Sequence, residues 1–370
     1  MFDMFKPTCK TLSKRARRAI RKAIECQDAK DIAEYNEMLA YEKAYGPIRP
    51  IAGGSVNTLP MGRTDAVDTG RGESAAIWYD CPQASIRDSL GVGMKFEDDM
   101  TMVGNAVMSS AYTESIGQWS AYGYAGATIT DAQKEGGVVQ LQADGDNEGL
   151  AIYSSTGSFR LVTTSTLALN RKLWYECRVA RSTITTDKID VFAGLMTPEL
   201  SSGLPASAIP ITTTDDTLST TPSFLGFHSN SNTATRGGPT EVAVAFNLAA
   251  GTINYPTNCT TLMGSTGNDV LTAGGFVKLG FRFDPDGPLK RVSSATARQT
   301  AGTIRRALIR FFVNNLELPT FLSSEDVANA TAAQAFPTGF MTPVFAMMNT
   351  AAAGGTFDID WVKCFQLANS

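Results

Sequence analysis

Two periodicities divide the chain. From Thr11 to Tyr45 (TLSKRARRAIRKAIECQDAKDIAEYNEMLAYEKAY) there is no Gly or Pro, and apolar residues recur at helical spacing: Leu12, Ala16, Ala19, Ile20, Ala23 and Ile24. Ile32, Tyr35 and Leu39 resume the stripe after a polar break between Gln27 and Lys30. This pattern predicts helix, in one piece or two, with Ser13 as N-cap and Gly46-Pro47 as the stop. From Gly46 to about Leu90 the text turns to PIRPIAGGSVNTLPMGRTDAVDTGRGES, rich in Gly, Pro and small polar residues, and regular spacing disappears. An extended arm over 47–89 is expected there.

Beyond Leu90 the pattern changes to short runs of β-branched and aromatic residues separated by Gly, Asn, Asp, Ser and Thr clusters. The clearest are GGVVQLQA, LAIYS, FRLVTT, KLWYECRVA, DVFAGLM, FLGFHS, EVAVAFN, FVKLGFRFD, ALIRFFVNN, PVFAMMN and FDIDWVKCFQL. In KLWYECRVA, Leu173, Tyr175, Cys177 and Val179 share one face while Trp174, Glu176 and Arg178 share the other. FVKLGFRFD likewise sets Val277, Leu279, Phe281 and Phe283 against Lys278, Gly280 and Arg282. Such alternation predicts half-buried strands, at least ten of them, in two antiparallel sheets packed face to face. The expected organisation is a helical anchor over 1–46, an arm over 47–89 and a β-sandwich over 90–370.

Composition changes this picture little. The 370 residues are 43% hydrophobic, enough for a full core, and only 18% are charged, with a formal net charge of −4. That balance gives no whole-molecule attraction to nucleic acid or to an anionic membrane, and neither is expected as a partner. Charge is uneven only in the leader, where Lys14, Arg15, Arg17, Arg18, Arg21 and Lys22 precede Asp28, Asp31, Glu34, Glu37 and Glu42. This order opposes the helix dipole. It fits a solvated amphipathic helix, a helix docked on an acidic partner surface, or, without interleaved aromatics, a weaker contact to nucleic acid. The six cysteines lie far apart with no CxxC pair, so free thiols and a reducing compartment are expected, with Cys177 and Cys364 inside strands. No stretch has the length and apolarity of a signal peptide or membrane span.

The order of the runs, from MKFEDDM and Trp119 through LWYECRVA, DVFAGLM, FVKLGFRFD and IRFFVNN to FDIDWVK, resembles the concanavalin-like, laminin-G-type jelly-roll sandwich. The resemblance covers about residues 90 to 370. It implies a mainly β fold in which IRFFVNN leads into a turn and FDIDWVK returns to pair near the N-terminal edge. Among proteins of this type, a basic helical leader, an arm and a single sandwich look nearest to structural proteins of tailed bacteriophages.

Candidate chemistry is sparse. On the same resemblance, laminarinase-type hydrolases carry E-x-D-x-E on a strand; here the corresponding letters are Asp358, Asp360 and Val362, so the third carboxylate is missing. Asp358 and Asp360 are read as solvent-facing or turn-capping groups beside Trp361. The single histidine, His228, has no GxSxG elbow and is read as a hydrogen-bonding group at a loop rim. ADGDNEG places Asp144, Asp146 and Glu148 at alternate positions, but Ser155 stands where an EF-hand needs its bidentate Glu, and a hairpin turn is expected. Tyr112, Trp119, Tyr122 and Tyr124 could form a glycan platform, or could cover a sandwich edge or subunit contact.

No catalytic residue, cofactor or metal site is therefore expected. The favoured function is a non-enzymatic virion structural protein, a capsid decoration, cement or head-fibre piece assembled in host cytoplasm. It would dock on capsid or other virion proteins through Arg17, Arg18, Ile20, Arg21 and Ile24. A homo-oligomer is expected, and a trimer would suit a surface-projecting piece. The alternative is a carbohydrate-binding receptor-recognition module of tail-fibre or lectin-like type.

Overall fold

The structure is a computed structural model of the 370-residue chain. It divides into two units, Met1–Leu59 and Pro60–Ser370. The structure describes residues 68–89, 91–101, 103–108, 113–132, 137–155, 158–161, 171–197, 209–212, 218–231, 238–249, 251, 253–258, 270–291, 304–323, 326–327, 336–351 and 354–368, all in the second unit.

Eighteen strands form two sheets among these residues, and every pairing is antiparallel. The first sheet runs, in spatial order, β14 (Leu289–Arg291), β15 (Ile304–Val313), β13 (Val277–Phe283), β8 (Leu173–Arg181), β18 (Thr356–Leu367), β6 (Val139–Gln142), β5 (Thr128–Asp131) and β2 (Ala106–Val107). To it β1 (Gly93–Asp98) adds on β18, and β16 (Leu316–Ser323) on β15. The second runs β12 (Asn254–Asn258), β11 (Ala243–Asn247), β10 (Phe224–Ser229), β9 (Ile189–Met196), β17 (Thr342–Asn349), β7 (Gly149–Ser154), β4 (Trp119–Gly123) and β3 (Thr113–Ile116). The chain crosses repeatedly between sheets, as at β6–β7, β8–β9 and β17–β18, giving the jelly-roll sandwich expected from the strand runs.

The main core lies between the sheets. Strand alternation sends Leu173, Tyr175, Cys177 and Val179 of β8, and Val277, Leu279, Phe281 and Phe283 of β13, into it. Tyr175 stacks on Phe281 with ring centroids 4.8 Å apart, and Phe227 and Phe311 close around them. The IRFFVNN run ends, as expected, in a two-residue hairpin, with Val313 opposite Leu316 and both Asn314 and Asn315 at positive φ. Asn tolerates that conformation better than other non-glycine residues. FDIDWVK does return to the N-terminal edge. β18 pairs with β6 over Thr356–Ile359 and then with β1 over Val362–Leu367, with a bulge between Ile359 and Trp361 where the partner changes.

The half-burial expected of β8 and β13 does not hold, because their outer faces are covered too. The described part of the 47–89 segment is not an extended arm. It carries two short helices, α1 (Ala75–Trp78) and α2 (Gln83–Asp88), and Ile77, Trp78 and Ile86 pack with Trp174, Phe312 and Phe365 on the outside of the first sheet. Polar contacts pin this strap. Glu176 Oε2 accepts from Ser74 N at 3.0 Å and from Trp78 Nε1 at 2.6 Å; Asn315 Oδ1 accepts from Ala76 N at 2.9 Å. Lys278 Nζ donates to Asp68 at 2.8 Å and to the Gly72 carbonyl at 2.9 Å, Glu73 pairs with Lys363, and Asp80 pairs with Arg282. Sequence alternation cannot distinguish a polar face turned to water from one turned to a polar strap.

Candidate functional site

The carboxylates of FDIDWVK prove to be structural. Asp358 and Asp360 are both buried, which corrects their reading as solvent-facing groups. Asp360 lies beside the bulge, where its Oδ1 accepts from Arg71 Nε at 2.9 Å and its Oδ2 is paired with Arg178. Asp358 Oδ1 accepts from Gln140 Nε2 at 2.9 Å. Both oxygens of Asp360 are thus engaged in charge-assisted bonds to guanidinium groups. His228 is likewise not at a loop rim: it lies within β10, fully buried, and burial together with the Arg181 charge pulls its pKa down to about 3. It stays neutral at ordinary pH. Arg181 beneath it is buried as well, donating to Thr183 O, Ser229 Oγ and Ile189 O, and burial lowers its pKa to about 10.

The aromatic cluster does not assemble as a platform. Period-two alternation along β4 turns Trp119 into the core, where it is 0% exposed, donates to Asp98 at 2.6 Å and meets Phe96 edge-on at 5.2 Å. Tyr122 points the opposite way and is buried on the outer face of the second sheet with Tyr153 and Phe192. Tyr112 lies outside the described residues, as do Arg17, Arg18, Ile20, Arg21 and Ile24. Of the three described, only Tyr124 reaches a rim.

At that rim three crossovers meet. Tyr124–Ala127 carries the chain from β4 to β5, residues 143–148 carry it from β6 to β7, and β17 ends at Asn349. The ADGDNEG stretch is thus not a hairpin, since β6 and β7 belong to different sheets. Backbone bonds lock the pieces together: Tyr124 N to Gly149 O at 3.0 Å, Asn147 N to Asn349 O at 3.0 Å, and Asn349 N to Glu148 O at 2.8 Å. Asn147 takes a positive φ of 57° to turn the loop. Gly126, at φ 91°, leaves room for the Asp144 carboxylate, 2.5 Å from where a Cβ would stand.

The polar groups here are incompletely matched. Glu148 folds back over Gly145, whose N–H it accepts, and its carboxyl meets that of Asp144 within hydrogen-bonding reach. Burial and then the Asp144 contact raise its pKa above the ordinary carboxylate value. No ion pair among the described residues involves Asp144 or Glu148, and Glu148 Oε2 is shielded from solvent without a donor. Asn349, 1% exposed, donates Nδ2 to Ala143 O at 2.8 Å but leaves Oδ1 without a partner. Tyr124 stands half-buried beside them, its hydroxyl pKa raised by burial and by the Glu148 charge. Asp146 and Asn147 are exposed on the same loop. Tyr124 was among the sequence candidates; Asp144 and Glu148 were read as a turn, and nothing in the sequence marked Asn349.

Among the described residues, no three His, Cys, Asp or Glu side chains are grouped to hold a metal ion, and no helix is long and apolar enough to cross a membrane. Cys81, Cys177 and Cys364 are free thiols; burial pushes Cys177 up to about 12 and Cys364 upward as well.

No protein-family model matches the sequence, nor does any curated protein. Solved structures do match in outline. Peanut lectin with a nonapeptide is 12% identical, with 75% of this chain and 99% of that chain covered and a TM-score of 0.41. The carbohydrate recognition domain of Emp47p is 12% identical, with 72% and 98% covered and a TM-score of 0.38. The exoplasmic/lumenal domain of VIP36, in a Ca2+/Man3GlcNAc-bound form, is 14% identical, with 71% and 90% covered and a TM-score of 0.38.

Proposed function

We propose that the chain is a non-enzymatic carbohydrate-binding module that takes a sugar at the rim formed by Tyr124, Asp144, Glu148 and Asn349. The observation that carries this reading is the exposed Asp144 carboxylate, with no ion pair among the described residues, on the same rim as the half-buried Tyr124 ring. Sugar hydroxyls can donate to the exposed Asp144 carboxylate, and the Tyr124 ring offers an apolar face to the sugar's C–H face. Binding is favoured over hydrolysis by spacing. Glycosidic cleavage uses carboxyl groups about 5 Å or more apart, with the bond between them, whereas Asp144 and Glu148 touch. Of the two carboxylates on the FDIDWVK strand, Asp360 is paired with two arginines and Asp358 accepts from Gln140.

A glycan array probed with the full chain tests this. Selective glycan signal is expected, lost in Tyr124→Ala and in Asp144→Asn, and retained in Val107→Ser, which alters an exposed edge residue. A blank array from correctly folded protein, or unchanged signal in both rim variants, would sink the proposal. The virion structural role expected from the sequence depends on Arg17, Arg18, Ile20, Arg21 and Ile24, outside the described residues. Assembly of a chain lacking residues 1–46 onto particles would remove the basis for that docking.

A further inference from the structure

Against the sequence expectation, the leader is not the only stretch where charge is uneven. Residues 289–310 (LKRVSSATARQTAGTIRRALIR) carry Lys290, Arg291, Arg298, Arg305, Arg306 and Arg310 without a single Asp or Glu, in a chain whose net charge is −4. Strand pairing concentrates Lys290, Arg291, Arg305 and Arg306 at one corner of the first sheet. There β14 pairs with β15 so that Leu289 faces Arg306, Lys290 faces Arg305 and Arg291 faces Ile304. Like charges directly opposite each other in an antiparallel pair are destabilising. Where Arg282 faces Arg310 the cost is offset, because Asp80 and Asp284 meet Arg282 and Glu317 meets Arg310. At the corner the ion pairs among the described residues supply only Glu317, through Lys290, and Arg310 shares it. Arg306 is exposed, donates Nη1 to the Gly287 carbonyl at 3.1 Å and enters no ion pair among the described residues.

Cations set against one another are relieved when a row of anions takes up their charge. Period-two alternation places Lys290 and Arg305 on one face of the ribbon and Arg291 and Arg306 on the other, so both faces are basic. A flat acidic surface would meet one face alone. The major groove of B-form DNA, about 12 Å wide, admits a two-stranded β-ribbon between its two phosphate walls. We infer that the β14–β15 ribbon binds the phosphate backbone of duplex DNA, without preference for base sequence. The deep, narrow major groove of A-form RNA does not admit such a ribbon. No Phe, Tyr or Trp occurs between residues 289 and 310, which removes the stacking platform that single strands use. The net charge of −4 acts weakly here, because at physiological ionic strength surface fields fall off within about 8 Å. This surface goes beyond the carbohydrate reading: β14 stands at the opposite end of the first sheet from β5, the strand that follows Tyr124.

Fluorescence anisotropy of a labelled DNA duplex of about 20 base pairs, titrated with the full chain between about 50 and about 200 mM salt, tests the inference. Neutralising four phosphates gives a slope of log affinity against log salt of about −3.6, a loss of about 150-fold over that range. The combined variant Lys290→Gln, Arg291→Gln, Arg305→Gln, Arg306→Gln is expected to bring the slope close to zero with an unchanged melting transition. Should that variant not fold, Arg306→Gln alone, at an exposed position, is expected to reduce the slope by about one, and an unchanged slope there would overturn the inference. The leader variant Arg17→Gln, Arg18→Gln, Arg21→Gln is expected to bind as the parent does. Binding lost in the leader variant and kept in the ribbon variant would move the contact to the leader and overturn the inference. No binding at the lowest salt, or equal affinity for a single strand of the same sequence or for a sulfated polysaccharide of matched charge, would overturn it as well.

Discussion

Replacing Asp360 is the sharpest test of what the FDIDWVK strand does. Asp360 is 1% exposed and is shared by Arg178, 16% exposed, and Arg71, 41% exposed. Asp360→Ala removes the carboxylate that both guanidiniums share, leaving Arg178 with the Thr69 carbonyl and the Phe276 ring and Arg71 with the Gly137 carbonyl. Breaking a buried pair by deleting one partner costs about 3–5 kcal/mol. The Arg71 arm, nearly half in water, counts as a surface pair worth under about 1 kcal/mol, so the Arg178 arm supplies most of the effect. A net loss of about 3 kcal/mol is expected, read as a fall in urea midpoint followed by tryptophan fluorescence. Trp78 in the strap and Trp361 next to the substituted residue make the signal local as well as global. Arg71→Ala, which leaves Asp360 with Arg178, should cost about 1 kcal/mol or less. An Asp360→Ala protein as stable as the parent within about 0.5 kcal/mol would refute the structural role of this carboxylate and reopen a catalytic one.

Two further outcomes follow from the same packing. Glu176 is fully buried beneath the strap, and burial raises its pKa despite bonds from Ser74 and Trp78. A carboxyl whose folded pKa is raised contributes stability that is complete below the unfolded value near 4.5 and is lost as pH rises through the folded value. Glu176→Gln should therefore gain on the parent as pH rises above 4.5, by up to about 1.4 kcal/mol per pH unit; a stability difference flat from pH 4 to 8 would contradict this. Trp119→Ala should cost about 3–5 kcal/mol as a core deletion, whereas Tyr124→Ala, at the rim, should cost less than half of that in the same urea titration. Equal losses would mean that Tyr124 is core and not a binding residue.

Much of the sandwich was legible because strands betray themselves locally. The alternation in KLWYECRVA and FVKLGFRFD, the Asn-Asn turn and the return of FDIDWVK are each written in a handful of adjacent residues. What covers the outer face was not. Glu176, Lys278 and Arg282 look solvent-facing by alternation, and the segment that buries them reads as loop because its hold is polar and its two helices span four and six residues. The rim failed for a related reason. The spacing between β6 and β7 suits a hairpin as well as a crossover, and only the tertiary pairing separates them. Asn349 reaches Ala143 across 206 positions of sequence, beyond the range of any local pattern.

Amide-resolved NMR of the full chain, titrated with the glycan of highest array signal, tests the central claim most directly. The account predicts shifts that concentrate at Tyr124–Ala127, Asp144–Gly149 and Asn349–Thr350, while the strap amides of Ser74, Ala76 and Ile77 stay in place. Shifts centred on the strap, or on the exposed Phe340 ring and the Arg160 guanidinium that covers it just before β17, would place the ligand elsewhere and contradict it.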